Sequence, residues 1–223
     1  MTRTARIAHL GLGAFARSHQ AWYTQEASDE WGIVAFPSRI SADLVAQAYR
    51  YGLLVRGPRA DHIQVIDSIV TESSDALESP DVAIATLTVT EAGYLPDSRA
   101  MSTLADALHA RMRTRGGPIT MLPCDNVASN GTAVRDALLA TADTELADWI
   151  SANVSFVSTM VDRITPATTD DDRTIARGFL GWDDRIPVVT EPFTEWVIER
   201  GEFPAGRPEW EKAGARFVDN VEP

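Results

Sequence analysis

Short apolar runs alternate with longer amphipathic stretches along this chain, and the alternation predicts strands separated by helices. Ile7 to Leu10 reads as a buried strand, passes through Gly11-Leu12-Gly13-Ala14-Phe15-Ala16, and enters a segment free of Gly and Pro until Gly32. Phe15 to Ala27 is a predicted helix closed by Ser28-Asp29-Glu30, and Gly32 to Phe36 is a second strand. That order is a βαβ unit. Gly52–Arg56 and the alternating segment His62–Thr71, with Gly57-Pro58-Arg59-Ala60-Asp61 between them, predict a hairpin. Val82 to Glu91 is nearly continuous in apolar character, the pattern of a strand covered on both faces in a parallel sheet.

Ser98 to Arg115 carries Met101, Leu104, Ala105, Leu108 and Met112 at helical spacing, a core stripe stopped by Gly116-Gly117-Pro118. Ile119–Leu122 is the next strand and ends in Pro123-Cys124-Asp125-Asn126. Helices are predicted from Thr132 to about Ala142 and around Glu145 to Ala152. From Val154 the pattern changes: Ser155 to Pro166 is extended, Asp170-Asp171-Asp172 is a solvated loop, and Pro187 to Pro192 is a short strand. A Trp-rich stretch, Phe193–Gly201, and a closing run, Arg207–Asp219, follow. These elements predict an α/β fold, a Rossmann-like doubly wound, mostly parallel sheet with a β-hairpin insertion. The whole of 1–223 reads as one dinucleotide-binding domain, with a core over 1–153 and additional strands and helices over 154–223.

Composition narrows the function. The chain has 223 residues, 44% of them hydrophobic, enough for one large core. Its net charge of −12 comes from acidic residues scattered along the sequence, which argues against nucleic-acid and membrane-surface partners. Cys124 is the sole cysteine, so an intrachain disulfide and a four-cysteine zinc site are both excluded, and a reducing cytoplasm is the expected location. The first residues, Met1 to Arg6, run into a strand without the pattern of a signal peptide. Nearly all basic residues are arginines, and the one lysine is Lys212.

The glycine motif supplies the first candidate chemistry. In Gly-x-Gly-x-x-Ala the first Gly allows a tight turn, the second lets backbone approach a pyrophosphate, and the small third residue permits close helix–strand packing. Gly11, Gly13, Ala14 and Phe15 are therefore expected to bind a dinucleotide at the start of the helix. The end of the second strand meets the adenosine ribose in such a unit, and Ser38 and Arg39 stand there. Arg39 suits a 2′-phosphate and no carboxylate adjoins it in sequence, so the residues lean toward NADP over NAD; the alternative is an Arg39 that is merely solvent-exposed. Asp43 falls in the first turn of the next helix, behind a predicted N-cap at Ser41. Thr88, Thr90 and Glu91 close the third parallel strand, where ligands of open α/β sheets bind.

Six strings in order along the chain resemble one family, the polyol-specific long-chain dehydrogenases, which include mannitol 2-dehydrogenase, fructuronate reductase and tagaturonate reductase. They are Gly11-Leu12-Gly13-Ala14-Phe15-Ala16-Arg17-Ser18-His19-Gln20-Ala21, Thr88-Val89-Thr90-Glu91-Ala92-Gly93-Tyr94, Cys124-Asp125-Asn126 with Asn130-Gly131, Met160 to Pro166, Val189-Thr190-Glu191-Pro192-Phe193, and Gly206 to Glu211. The resemblance implies a Rossmann domain that binds NAD or NADP, a largely helical domain after it, and zinc-independent hydride transfer between a sugar alcohol or sugar acid and its keto form. It implies that Asn126 holds the reacting oxygen and that Asp162 lies near the polyol. The residues leave two alternatives open: Asn126 capping the following helix, and Asp162 pairing with Arg163.

Two positions depart from the family pattern: Ala16 stands where histidine is usual, and Ser38-Arg39 where NAD users often carry an acid. The family's general base is a lysine, with Asn and His following on its helix, shortly after the string resembling Phe217 to Pro223; Lys212 matches a different position. The expectation is a cofactor domain that needs a helical domain, in cis or in trans, to turn over substrate. A competing expectation from another class is a dinucleotide-binding module without catalysis.

Overall fold

The computed structural model describes residues 3–27 and 30–221. Strand β1 (Thr4–Leu10) passes through the glycine turn into helices α1 (Ala14–Ser18) and α2 (Gln20–Glu26), then β2 (Trp31–Ala35) and α3 (Ser41–Ala46). Strands β3 (Tyr51–Val55) and β4 (His62–Ile66) form the expected antiparallel hairpin, Tyr51 opposite Ile66 and Val55 opposite His62. The chain returns as β5 (Ile69–Glu72) and β6 (Ile84–Leu87), and continues through α4 (Arg99–Thr114), β7 (Ile119–Pro123), α5 (Asn130–Thr141), α6 (Thr144–Asn153) and β8 (Val154–Phe156). The main sheet has the order β5-β2-β1-β6-β7-β8, and each neighbouring pair is parallel. Strand order reverses beside β1, so the crevice between the carboxyl ends of β1 and β6 is the topological switch point.

Side chains alternate across this sheet and fill two cores, as a strand's period of two requires. Ile7, Ile33, Ile84 and Leu122 belong to one apolar cluster, with Tyr23, Tyr51, Trp196 and Trp210. Their chain neighbours Ala8, Val34, Ala85 and Met121 belong to the other, with Leu104, Leu108, Leu138 and Ile150 of α4, α5 and α6. The sheet is doubly wound as the sequence predicts.

The remaining elements are β9 (Thr159–Asp162), α7 (Asp170–Leu180), β10 (Val188–Thr190), β11 (Glu195–Glu199) and β12 (Arg216–Val218). β10 adds to the hairpin in parallel with β3, giving a second sheet. β9, β11 and β12 form a third, antiparallel between β9 and β11.

Five expectations change. The helix expected over Phe15–Ala27 is two short helices broken at His19, whose ring is buried and held by the Glu195 carbonyl and the Gln20 amide at 2.9 Å each; its expected end at Ser28 and Asp29 lies outside the described residues. The run His62–Thr71 divides at Asp67-Ser68, because the buried Ser68 donates to the Ala21 carbonyl and its own carbonyl accepts from Ile33 N–H, which hands the chain to the main sheet. The strand expected over Val82–Glu91 spans only Ile84–Leu87 and is followed by a loop and a 3-10 turn, Glu91–Tyr94. The extended stretch after Val154 splits between two sheets, so the sixth strand of the main sheet lies just past residue 153. The acidic run Asp170-Asp171-Asp172 is the first turn of α7, where Thr169 and Asp172 form a capping box and Asp172 also pairs with Arg56.

Candidate functional site

The glycine turn sits at the carboxyl end of β1. Gly11 has φ of +94°, and a Cβ there would lie 2.1 Å from the Thr88 carbonyl oxygen, so the fold itself requires glycine. Gly13 differs: its φ of −93° and ψ of −169° suit any residue, and an added Cβ meets nothing nearer than the Gly11 carbonyl at 3.8 Å. Gly13 is exposed, and as N-cap of α1 it offers no side-chain acceptor to the first-turn N–H groups. A bulky residue at Gly13 therefore leaves the protein's own packing intact and fills only the space outside the turn. Ala14 and Phe15 are half-buried at the start of α1, Phe15 stacked on His19 at 5.1 Å between ring centres.

Beneath the turn lies a polar layer. Thr88, expected to meet a cofactor, donates its hydroxyl to the Gly11 carbonyl at 2.7 Å and lies 3.3 Å from His9 Nε2. His9 Nδ1 is 2.8 Å from Thr86 Oγ1, and burial pushes the imidazole pKa down to about 4, keeping it neutral. Arg17 Nε donates to the Gly13 carbonyl at 3.3 Å while its other arm binds the Ile186 carbonyl. Thr90 and Glu91 are exposed beyond β6, at the mouth of the switch-point crevice.

At the end of β2, Ser38 is half-buried and Arg39 is exposed, with no ion pair among the described residues. Ser41 is the first residue of α3 rather than a side-chain cap, while Asp43 does lie in the first turn. The Ser41 hydroxyl accepts from the Ser38 N–H at 2.8 Å and lies 2.7 Å from Glu72 Oε1 and 2.8 Å from the Ser38 carbonyl. The spatial neighbour of this loop is thus a carboxylate from β5, which removes the premise that no acid stands beside Ser38-Arg39. Nothing local in sequence announces it, because β5 reaches β2 only after the whole hairpin.

Beyond β7 the chain forms the second half of the site. Asn126 and Asp162 line one open cleft of about 520 Å³, together with Asp125, Met160, Glu195 and Val221. Both are exposed, and neither makes a side-chain hydrogen bond or ion pair among the described residues. The two open alternatives are resolved against capping and pairing: α5 has Ser129 as N-cap with no side-chain cap bond, and Arg163 turns inward to Thr190 Oγ1 and the Ser18 carbonyl, over the Trp22 ring. Asp125 ties the two loops, accepting from Tyr94 Oη at 2.8 Å and Val89 N–H at 3.2 Å; burial raises its pKa to about 6. Glu195, missed by sequence reading, stands opposite Asp162 in the β9–β11 register and pairs with Arg216.

Cys124 is buried and its thiol pKa is raised by that burial, so it stays protonated. Lys212 pairs with Glu209 on the surface. Among the described residues no group of three or more His, Cys, Asp and Glu is arranged to hold a metal ion, and no helix is long and apolar enough to cross a membrane.

Comparison with known proteins places this geometry. Residues 5–212 match the family described as the mannitol dehydrogenase Rossmann domain. The chain is 37% identical over 268 aligned positions to D-arabinitol 4-dehydrogenase of Ralstonia nicotianae, covering 100% of this chain and 57% of the relative. It is 34% identical over 265 positions to D-mannonate oxidoreductase of Escherichia coli, covering 98% and 54%. Both alignments exceed the chain's own length, so these relatives carry segments with no counterpart in it. The solved Pseudomonas fluorescens mannitol 2-dehydrogenase, a ternary complex with NAD and D-mannitol, superposes with a TM-score of 0.89 at 36% identity, covering 99% of this chain and 54% of that one. The chain spans about half the length of the relatives it matches. On its sheet order, its glycine turn and these matches together, the chain belongs to the mannitol dehydrogenase family, whose Rossmann domain it comprises.

Proposed function

We propose that this chain is the cofactor-binding half of an NAD-dependent dehydrogenase that oxidises a sugar alcohol or hexonate to its keto form. The observation that carries the reading is the cleft shared by Asn126 and Asp162, two unpartnered polar side chains at the carboxyl edge of the sheet whose switch point carries the glycine turn. Gly11, Gly13, Ala14 and Phe15 would hold the pyrophosphate, with the uncapped first-turn N–H groups of α1 as its donors. When bound, the nicotinamide exchanges a hydride with the substrate carbon. The Asn126 carboxamide donates to the substrate oxygen and strengthens that bond as negative charge develops there. The exposed Asp162 side chain accepts from a neighbouring polyol hydroxyl. Thr88 acts from beneath, fixing the Gly11 carbonyl, while Thr90 and Glu91 border the crevice.

The bound dinucleotide is taken as NAD rather than NADP, since the solved relative holds NAD and the Glu72 carboxylate adjoins the loop that carries Ser38 and Arg39. A general base is not supplied by this half. His9 and His19 are buried, His62 lies in the hairpin and His109 on α4, and Lys212, in the 3-10 turn Trp210–Ala213, is paired with Glu209. A positioned base contributes about 10²–10⁴-fold, so the chain alone is expected to bind without turning over.

The test is an activity screen across mannitol, arabinitol, fructuronate and tagaturonate, with NAD or NADH. It compares the chain alone with a fusion to the part of the D-arabinitol relative that it does not span. Activity in the fusion only, reduced about 10²-fold in kcat by Asn126→Ala, is the expected result. Turnover by the chain alone, insensitive to Asn126→Ala and Asp162→Ala, would put the chemistry elsewhere.

A further inference from the structure

The carboxylate that discriminates between dinucleotides in this fold ordinarily belongs to the end of the second strand, which here offers Ser38 and Arg39. We propose that Glu72, carried by the adjacent edge strand β5, takes that role: it accepts from the adenosine ribose 2′-hydroxyl and repels a 2′-phosphate. The inference rests on dinucleotide binding at the glycine turn.

Three observations place the side chain. Glu72 is the last residue of β5 and is in register with Ala35, the last residue of β2, so its backbone ends level with the strand that meets the ribose. Its Oε1 lies 2.7 Å from Ser41 Oγ, which also engages the Ser38 N–H and carbonyl, so the carboxylate is fixed to the loop that carries Ser38 and Arg39. Oε2 has no donor among the described residues and remains open to accept from a ligand hydroxyl.

Charge then decides the ligand. A ribose 2′-hydroxyl is a donor and matches a carboxylate acceptor, whereas a 2′-phosphate brings about two negative charges against it. Arg39 opposes it, but Arg39 is exposed and makes no ion pair among the described residues, so solvent and salt screen its attraction. The fixed carboxylate outweighs the free guanidinium. Ser41 is a positioning residue, acting through Glu72.

Calorimetric titration of the 223-residue chain with NAD and with NADP, each compared with E72Q, E72D, S41A and R39A, tests the assignment, with thermal unfolding run on every variant. Glu72 is half-buried at a sheet edge, and glutamine keeps an acceptor for Ser41, so E72Q is expected to remain folded. The wild type should prefer NAD, E72Q should gain about tenfold or more in NADP affinity while NAD weakens a few-fold, E72D should keep the preference, and S41A should move it part of the way. An NAD-to-NADP ratio unchanged in folded E72Q overturns the assignment, as does a wild type that prefers NADP through Arg39. Binding of neither dinucleotide by the wild type removes the reading beneath it and the assignment together.

Discussion

Gly11 and Gly13 look alike in sequence and are held for different reasons. Gly11 carries a left-handed backbone against the Thr88 carbonyl, so Gly11→Ala is expected to destabilise the protein by roughly 3 kcal/mol in denaturant titration. Gly13 is free of both constraints, and Gly13→Val should leave the unfolding midpoint within about 0.5 kcal/mol of wild type. Titration of buried side chains gives a second prediction at this scale. His9 and His19 have pKa values lowered by burial to about 4 and about 3, so between pH 6 and 4 the unfolded chain binds more protons at these sites than the native one, approaching two near pH 5. Stability contributed by their neutral forms is complete above the ordinary histidine pKa near 6.5 and is lost as pH falls below it. Asp125 acts in the opposite sense. Its pKa is raised by burial to about 6, so the native state holds the extra proton and acidification through this window favours folding at that site. Asp125→Asn removes this offset, and urea midpoints between pH 6 and 4 should fall more steeply by about one proton, roughly 1.4 kcal/mol per pH unit. An unchanged slope would mean that Asp125 titrates normally.

Elements show how much was legible and where reading failed. The strands flanking the glycine turn, the hairpin and helices α4, α5 and α6 are where apolar spacing puts them, because each satisfies its own period locally. β5 was absorbed into β4, and the helix break at His19 was invisible, because both depend on partners far along the chain: Ala21 and Ile33 for Ser68, and Glu195 for His19. The capping box at Thr169 was present as Thr-x-x-Asp and was hidden by the acidic run around it. Helix α4 holds the clearest case of remote bonding. Its Arg111 is fully buried with no carboxylate partner among the described residues and donates to the carbonyls of Leu77, Ser79, Val82, Gly116, Gly117 and Pro118. Burial lowers its pKa to about 10, leaving it charged at neutral pH. Arg111→Met strands those acceptors and is expected to cost at least about 3 kcal/mol, and Arg111→Lys should not restore it, since one ammonium lacks the planar spread of donors. Chemical denaturation of both variants checks this.

At the scale of the molecule, both halves of the candidate site lie along one carboxyl edge of the sheet, the glycine turn at its switch point and the Asn126–Asp162 cleft beyond β7. The strings containing both halves were legible because their chemistry is local. Glu72 and Glu195 were not, because pairing of distant strands brings them there. The central claim is that the glycine turn is a dinucleotide site by virtue of open backbone. Calorimetric titration of NAD into wild type and Gly13→Val, both first shown to unfold at the same midpoint, tests it most directly. The wild type should bind one NAD per chain and the folded variant none. Equal affinity in both would contradict it.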